Sequence, residues 1–435
     1  MLVHDPRNLP RVVRWNTFIL AACTAINYSI VQLAASLAAI IASALTGDAA
    51  LAGIAPSVFL AGTAGSAFIA GRLMDRYGRV PVMAGAFVVG AAGALVVFVS
   101  VGLRAPAPFF VGITLVGVTN GAVALGRAAA ADMYPPEHRG RGIGLVLVGA
   151  AVGVVGGGLL FGSLLGGSHG DLATLAAPWP IAAGLMALGG AVMLSIRVDP
   201  LTIGQSLRAA AVETNAGDAV PLGAGEALPG VEEPPRALGA IFAPAAMRSA
   251  LAAVIVAQVV MTAAMSLIPL VMQTHQHDLG TVSLTISSHL VGMFVLSPLL
   301  GPLTDRVGRG RALVGGLAVL AAAVLALELG ESSATLLPAM FLVGVGWNIS
   351  YVAASVLISN GAAPQERGKA LGSADLISLL AAATSAAVAG ALLARVGFGP
   401  LAASAAVLAV LPALVLWRLG RGRSGWSMTP AQGGS

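Results

Sequence analysis

The chain has 435 residues, of which 57% are hydrophobic and only 9% are charged. A soluble domain carries about a quarter of charged residues, so this composition excludes an ordinary water-soluble protein. The formal net charge of +5 comes from basic residues that stand between apolar runs, which is a feature of membrane topology and gives no indication of nucleic-acid binding. Cys23 is the only cysteine, so the chain has no internal disulfide framework.

Apolar residues occur in twelve runs, most of them of roughly 20 residues or more, the length that crosses a bilayer as a helix. In the first half the runs are 16–44, 50–72, 80–103, 108–132, 142–167 and 177–197. In the second half they are 247–273, 281–301, 312–330, 335–359, 370–394 and 399–418. We therefore predict an all-α membrane protein with a six-helix bundle over residues 1–197 and another over residues 247–420.

Two segments lack the apolar pattern. Residues 198–246 are rich in Pro, Gly, Ala and Glu, which predicts a linker between the two bundles. Residues 421–435 are rich in Gly and Ser, which predicts a disordered tail.

The basic residues predict the orientation of the chain. With a cytoplasmic N-terminus, all 23 Lys and Arg residues except Arg104, Arg127 and Arg395 fall in cytoplasmic segments, as the positive-inside rule requires. The linker and both termini are then cytoplasmic. Lys369 is the only lysine, and such a preference for arginine suggests a bacterial source and the inner (plasma) membrane.

One phrase occurs twice, 230 residues apart: residues 71–79 read G-R-L-M-D-R-Y-G-R and residues 301–309 read G-P-L-T-D-R-V-G-R. A second pair of loops, residues 136–144 and 364–372, repeats at an offset of 228. Two loops that repeat at nearly the same offset indicate two homologous halves, the parallel repeat found in some transporters.

The doubled phrase, between predicted helices 2 and 3 and again between 8 and 9, resembles the signature loop of the major facilitator superfamily. The resemblance covers the whole chain. It implies that family's fold of twelve transmembrane helices in two pseudo-symmetric bundles, and transport by alternating access without enzymatic activity or a cofactor.

The resemblance also implies a gate at the cytoplasmic side. Asp75 is expected to meet the start of helix 11 and Asp305 the start of helix 5, because an acid bonds the free N–H groups of a helix start. The alternative is that these charges only set topology and cap helix ends. The gating candidates are Gly71, Asp75, Arg76, Gly78, Arg79, Gly301, Asp305, Arg306, Gly308 and Arg309, with Asp132 and Arg139 from the loop after helix 4.

Polar side chains within the predicted helices are costly in lipid and are therefore candidates for a transport pathway. Asn120 and Asn348 are equivalent under the offset of 228, and they either line a cavity from both halves or hydrogen-bond between helices. The predicted substrate-binding set is Asn27, Tyr28, Gln32, Asn120, Gln258, Trp347, Asn348 and Tyr351.

Two charged residues are candidates for proton coupling. Asp375 lies several residues into helix 11, where it either carries a proton or is stabilised by the dipole of its own helix. Arg127 either extends its guanidinium to the cytoplasm or faces the cavity and binds an anionic group or Asp375. His289 is a weaker candidate, with a structural hydrogen bond as the alternative. His275 and His277 alone do not predict a metal site.

The predicted cavity is mostly apolar, with amides, aromatic rings and few charges, which suits a lipophilic or amphipathic small molecule. We predict a monomeric transporter in the lipid bilayer that expels such a molecule in exchange for protons. Helix 5 lacks the Gly-Pro pair of the family's antiporters, since Val154 follows Gly153. The alternatives are uptake of a small polar metabolite with protons, and a non-transporting membrane sensor or scaffold.

Overall fold

The computed structural model describes residues 9–135, 138–168, 170–207, 236–296, 300, 306–330, 332–363 and 366–421. Within these ranges the regular structure is entirely helical. In the first half the long helices are α1 (Leu9–Thr46), α2 (Ile54–Tyr77), α3 (Arg79–Gly102), α4 (Pro106–Ala124), α5 (Arg139–Leu165) and α6 (Pro178–Met193). In the second half they are α7 (Ala245–Thr274), α8 (Leu279–Phe294), α9 (Arg309–Ala326), α10 (Ser333–Gly361), α11 (Arg367–Val396) and α12 (Phe398–Arg421).

Each of the twelve predicted apolar runs overlaps with one of these helices over most of its length. In the described part of the chain, 11 helices are long and apolar enough to cross a membrane, and α8 is a shorter apolar helix of 16 residues. The prediction of an all-α, multi-pass membrane fold is confirmed.

The two halves repeat the same packing. In the first half α1 packs on α5, α2 on α4, and α3 on both α4 and α6. In the second half α7 packs on α11, α8 on α10, and α9 on both α10 and α12. Adding six to the helix numbers of each packed pair in the first half gives a packed pair of the second half. This is the arrangement of a parallel repeat.

Small residues allow these helices to approach closely. A Cβ atom on Gly149 would collide with the carbonyl oxygen of Ala21, and one on Gly153 with that of Ala25. The glycines of α5 therefore bring its backbone against that of α1, as small residues do in membrane bundles.

The odd-numbered helices start at one face of the molecule. Arg11, Arg79, Arg141, Arg309 and Arg367 lie in their first turns, so we call it the basic face. The arginine distribution predicts that this face is cytoplasmic.

The two bundles meet toward the opposite face, through α5 against α8 and α2 against α11. The Ser57 hydroxyl donates to the Ala383 carbonyl oxygen at 2.6 Å, and the Leu279 amide donates to the Ser168 carbonyl oxygen at 2.9 Å. Deeper between the bundles, Gln32 Nε2 donates to the Ser283 carbonyl oxygen at 3.0 Å. These contacts close the opposite face.

The segment that links the bundles is held at both of its described ends. At the first end, the Asp199 carboxylate accepts from the Val80 amide in the first turn of α3 at 2.9 Å. At the second end, the Arg236 amide and guanidinium both donate to Glu366, just before α11, at 2.8 Å and 2.7 Å respectively. Lys369 Nζ donates to the Arg236 carbonyl oxygen at 2.7 Å. The part of the predicted linker from 208 to 235 lies outside the described residues.

Arg236 changes the acid strength of its partner. The Glu366 side chain is only 2% exposed, and its bonds to Arg236 lower its pKa from the ordinary 4.5 to about 2. A lowered folded-state pKa means that the pair stabilises the fold fully above pH 4.5 and loses this effect as the pH falls through about 2.

The first expected outcome concerns this pair. Glu366→Gln should lower the thermal unfolding midpoint at neutral pH, because the charge-assisted hydrogen bonds to Arg236 are lost. The difference in unfolding midpoint between wild type and Glu366→Gln should narrow as the pH falls from 4.5 through about 2. Glu328→Gln, which removes an exposed acid near the opposite face, is the matched control. An equal effect of the two variants, or a gap independent of pH, would contradict this assignment.

Candidate functional site

Charged and aromatic side chains from both bundles converge between them. Tyr28 of α1 and Arg127 come from the first bundle, and Trp347, Tyr351 and Asp375 come from the second. We call these five residues the central cluster. Arg127 interacts electrostatically with Tyr28, Tyr351 and Asp375, and the Tyr351 hydroxyl donates to Asp375 Oδ1 at 2.9 Å. The cluster therefore brings a positive charge of the first bundle within electrostatic range of a carboxylate of the second.

An aromatic wall forms on α10. Trp347 and Tyr351 stand four residues apart, so they share one face of the helix. Their rings stack with centroids 4.9 Å apart and planes 15° apart. The Trp347 indole donates to Gln258 Oε1 at 2.8 Å, which fixes the wall against α7.

A second aromatic pair spans the bundles. Tyr28 meets Phe294 of α8 edge to face, with centroids 5.0 Å apart and planes 78° apart. Such geometry is favoured for aromatic pairs. Phe294 was missed by the sequence analysis because an apolar residue in an apolar run gives no signal.

A break in the fourth span positions Arg127. The helical hydrogen-bonding pattern tightens at Leu125, whose amide donates to the Ala122 carbonyl oxygen at 3.2 Å, and the short helix Gly126–Asp132 follows. Arg127 Nε donates to the Ala124 carbonyl oxygen at 3.2 Å. Its side chain is exposed to solvent while it interacts with Asp375 across the bundles. Arg127 is thus within electrostatic range of Asp375, as in the second sequence alternative, and its role there stays a prediction.

Several predicted cavity amides instead hold helices together. Asn348 Nδ2 donates to the Met293 carbonyl oxygen at 2.7 Å, and Gln32 binds α8 through Ser283; both side chains are buried. Asn27 Nδ2 donates to Asn120 Oδ1 at 2.9 Å, which joins α1 to α4. Amides in an apolar bundle bond to the neighbouring helix because lipid offers no partner. In this conformation Gln32 and Asn348 are therefore engaged between helices, and their role in substrate binding stays a prediction.

His289 is also a structural residue. It is fully buried, and its Nδ1 lies 3.1 Å from the Met340 carbonyl oxygen of α10. This is the structural alternative that the sequence left open.

The first signature loop forms a network at the basic face. Arg79 lies 3.2 Å from Asp75 and 3.0 Å from Asp132, so the predicted rim residue Asp132 joins the loop to the end of the fourth span. The Asp75 side chain is 71% exposed and does not contact α11 in this conformation. The latch that the resemblance implies is therefore not formed in this conformation.

Both copies of the loop share a backbone turn. Gly78 has φ 94° and Gly308 has φ 91°, a conformation that favours glycine. Arg76 lies over the ring of Tyr77, and Gly71 faces Leu125. Arg306 is exposed, and Arg309 starts α9. Gly301, Asp305 and the side chain of Arg139 lie outside the described residues.

The sequence analysis also missed Arg236, at the second end of the linking segment, and its partner Glu366. Glu366 lies within the repeated loop 364–372, where an acid just before a helix was the available signal. Arg236 lies in a stretch without periodicity, so only the folded chain identifies it as the partner of Glu366.

Comparison with known proteins agrees with this geometry. The family model described as Major Facilitator Superfamily matches residues 17–277 and 250–430. The chain is 30% identical to the uncharacterized MFS-type transporter YdeG of Bacillus subtilis (strain 168), over 88% of this chain and 87% of that protein. It is 27% identical to the riboflavin transporter RfnT of Brucella anthropi, over 87% of this chain and 89% of that protein.

Solved structures share the fold at low identity. The nucleoside transporter NupG superimposes with a TM-score of 0.67 at 12% identity, covering 93% of this chain and 99% of that chain. A D-xylose-proton symporter superimposes with a TM-score of 0.67 at 16% identity, covering 94% of this chain and 96% of that chain. The chain belongs to the major facilitator superfamily, a family of secondary membrane transporters.

Proposed function

We propose that this transporter moves a small amphipathic molecule with a planar aromatic group, and that the central cluster binds it. The observation that carries the proposal is the division of the cluster between the bundles, with Tyr28 and Arg127 on one side and Trp347, Tyr351 and Asp375 on the other. Alternating access requires a site whose two halves move relative to each other when the bundles rock.

The chemistry of the cluster defines the substrate class. The stacked rings of Trp347 and Tyr351 offer a flat surface to an aromatic group. Arg127 can pair with an anionic or strongly polar substituent. Since Gln32 and Asn348 are used between helices, few amides remain for the hydroxyl groups of a sugar. These features support an amphipathic aromatic substrate over a small polar metabolite.

Asp375 is proposed to carry the coupling proton. In this conformation it accepts a hydrogen bond from the Tyr351 hydroxyl and is attracted by the positive charge of Arg127. When an anionic group of the substrate binds Arg127, that attraction is lost, and closing the bundles over an unpaired carboxylate is costly. Protonation of Asp375 removes that cost, so proton and substrate movements become linked. Efflux in exchange for protons stays our prediction for the direction.

The gate is proposed to act at Asp75. Its present pairing with Arg79 leaves it exposed, and closing of the basic face would bring it to the start of α11. There the carboxylate would accept hydrogen bonds from the free N–H groups of that helix.

Binding tests the substrate class. Trp347→Ala should weaken the binding of a planar aromatic compound roughly two- to tenfold, the effect of about 0.5–1.5 kcal/mol for an aromatic pair. Riboflavin is a suitable fluorescent first probe, followed by other aromatic anions and cations. Trp15→Phe, at an exposed tryptophan outside the cluster, should bind as wild type. Saturable binding of none of these compounds, or equal losses in both variants, would refute the substrate class.

Transport in proteoliposomes tests the coupling. Asp375→Asn should abolish uphill transport driven by a pH gradient and retain substrate exchange, because exchange needs no net protonation cycle. Asp48→Asn, at the opposite face, is the control and should keep both activities. In everted vesicles an exporter accumulates substrate on energisation, whereas an importer does not. Full pH-driven transport by Asp375→Asn would show that the proton is carried elsewhere.

Cysteine accessibility tests the gate. The test uses a reporter cysteine, Gly372→Cys, in a Cys23→Ala background. A Cβ atom at position 372 meets no other heavy atom within 4 Å, and the position lies three residues before Asp375. Asp75→Asn should speed its labelling several-fold by favouring the conformation open at the basic face. Unchanged labelling, or the same rise in Asp48→Asn, would eliminate Asp75 as a latch.

A further inference from the structure

A large groove lies on the first bundle, apart from the central cluster. It has a volume of about 1320 Å³, which exceeds the roughly 300–1,000 Å³ of ordinary small-molecule sites. Its walls are formed mainly by α1 and α5, with Met133, Tyr134, Pro135 and Leu207 at one end, and none of the five central-cluster residues lines it. Phe18 of α1 and Leu145, Val148 and Val152 of α5 line it with exposed apolar side chains.

The end of the groove at the basic face carries positive charge. Arg14 lies in the second turn of α1, Arg141 in the first turn of α5, and His138 just before α5. All three are exposed, and the lining residues within the described ranges include no acid. Neither Arg14 nor Arg141 forms an ion pair with another described residue. The groove thus joins a basic entrance to an apolar channel.

We propose that this groove binds an anionic phospholipid of the membrane. Its phosphate would contact Arg14, Arg141 and His138, and one acyl chain would lie between Phe18 and the exposed valines of α5. Basic pockets at the ends of membrane helices bind the head groups of anionic lipids. The volume of the groove and its exposed apolar side chains suit an acyl chain, and the basic residues at its end suit a phosphate.

Native mass spectrometry of the purified full chain tests this. Phosphatidylglycerol should bind at least tenfold more tightly than phosphatidylcholine with the same acyl chains. The double variant Arg14→Gln/Arg141→Gln should weaken phosphatidylglycerol binding roughly 30-fold, the effect of removing two arginines near the head group. The control Arg11→Gln/Arg72→Gln removes the same charge from the basic face outside the groove and should stay within about twofold of wild type.

A second variant tests the acyl chain. Val148→Trp places a large ring at an exposed position of the groove wall. It should weaken the binding of both phosphatidylglycerol and phosphatidylcholine, and phosphatidylglycerol should still bind more tightly than phosphatidylcholine. The proposal is overturned if wild type binds the two lipids equally, or if the control double variant loses as much affinity as the groove variant. It is also overturned if deletion of residues 1–8 raises lipid binding, which would assign the groove to that segment. Displacement of the lipid by a transported substrate would assign the groove to the transport pathway instead.

Discussion

Close approach of helix backbones, without side chains between them, is the constraint on which the structure depends. Lipid is as apolar as a leucine side chain, so helices in a membrane gain little from burial and associate through packing. A Cβ atom on Gly53 of the α1–α2 connection would collide with the carbonyl oxygen of Ala386 on α11, and one on Gly158 of α5 with the hydroxyl of Ser287 on α8. These two pairs of helices join the bundles, and their glycines lie toward the opposite face. The contacts therefore close that face.

The central cluster depends on this arrangement. Arg127 is exposed while it interacts electrostatically with Asp375 of the other half. The tightened turn at Leu125 lies two residues before Arg127, at the end of α4. In the proposed mechanism, these opposite charges link the substrate, the proton and the conformation.

The linking segment reaches both elements of the proposed gate. Asp199 binds the start of α3, one residue after Arg79 of the signature loop, and Arg236 binds Glu366 at the start of α11. Both attachments lie at the basic face. The linker is therefore attached beside the signature loop and beside the start of α11, which are the two elements that the latch would bring together. Charge-assisted hydrogen bonds form both attachments.

The sequence by itself determined the twelve helices, the division into two halves and the signature loops, because apolar runs of this length and a repeated loop are local signals. It also identified Asp375, Tyr351 and Trp347 as candidates, since polar groups in an apolar run are conspicuous. Only the tertiary structure decided which side chains face the cavity. Helices surrounded by lipid and by other helices are apolar on all sides, so their rotation is weakly encoded in hydrophobic periodicity. For that reason only the folded chain shows that Asn348 and His289 bond neighbouring helices. It likewise shows that Arg127 interacts electrostatically with Asp375. Phe294 and Arg236 gave no signal in the sequence at all.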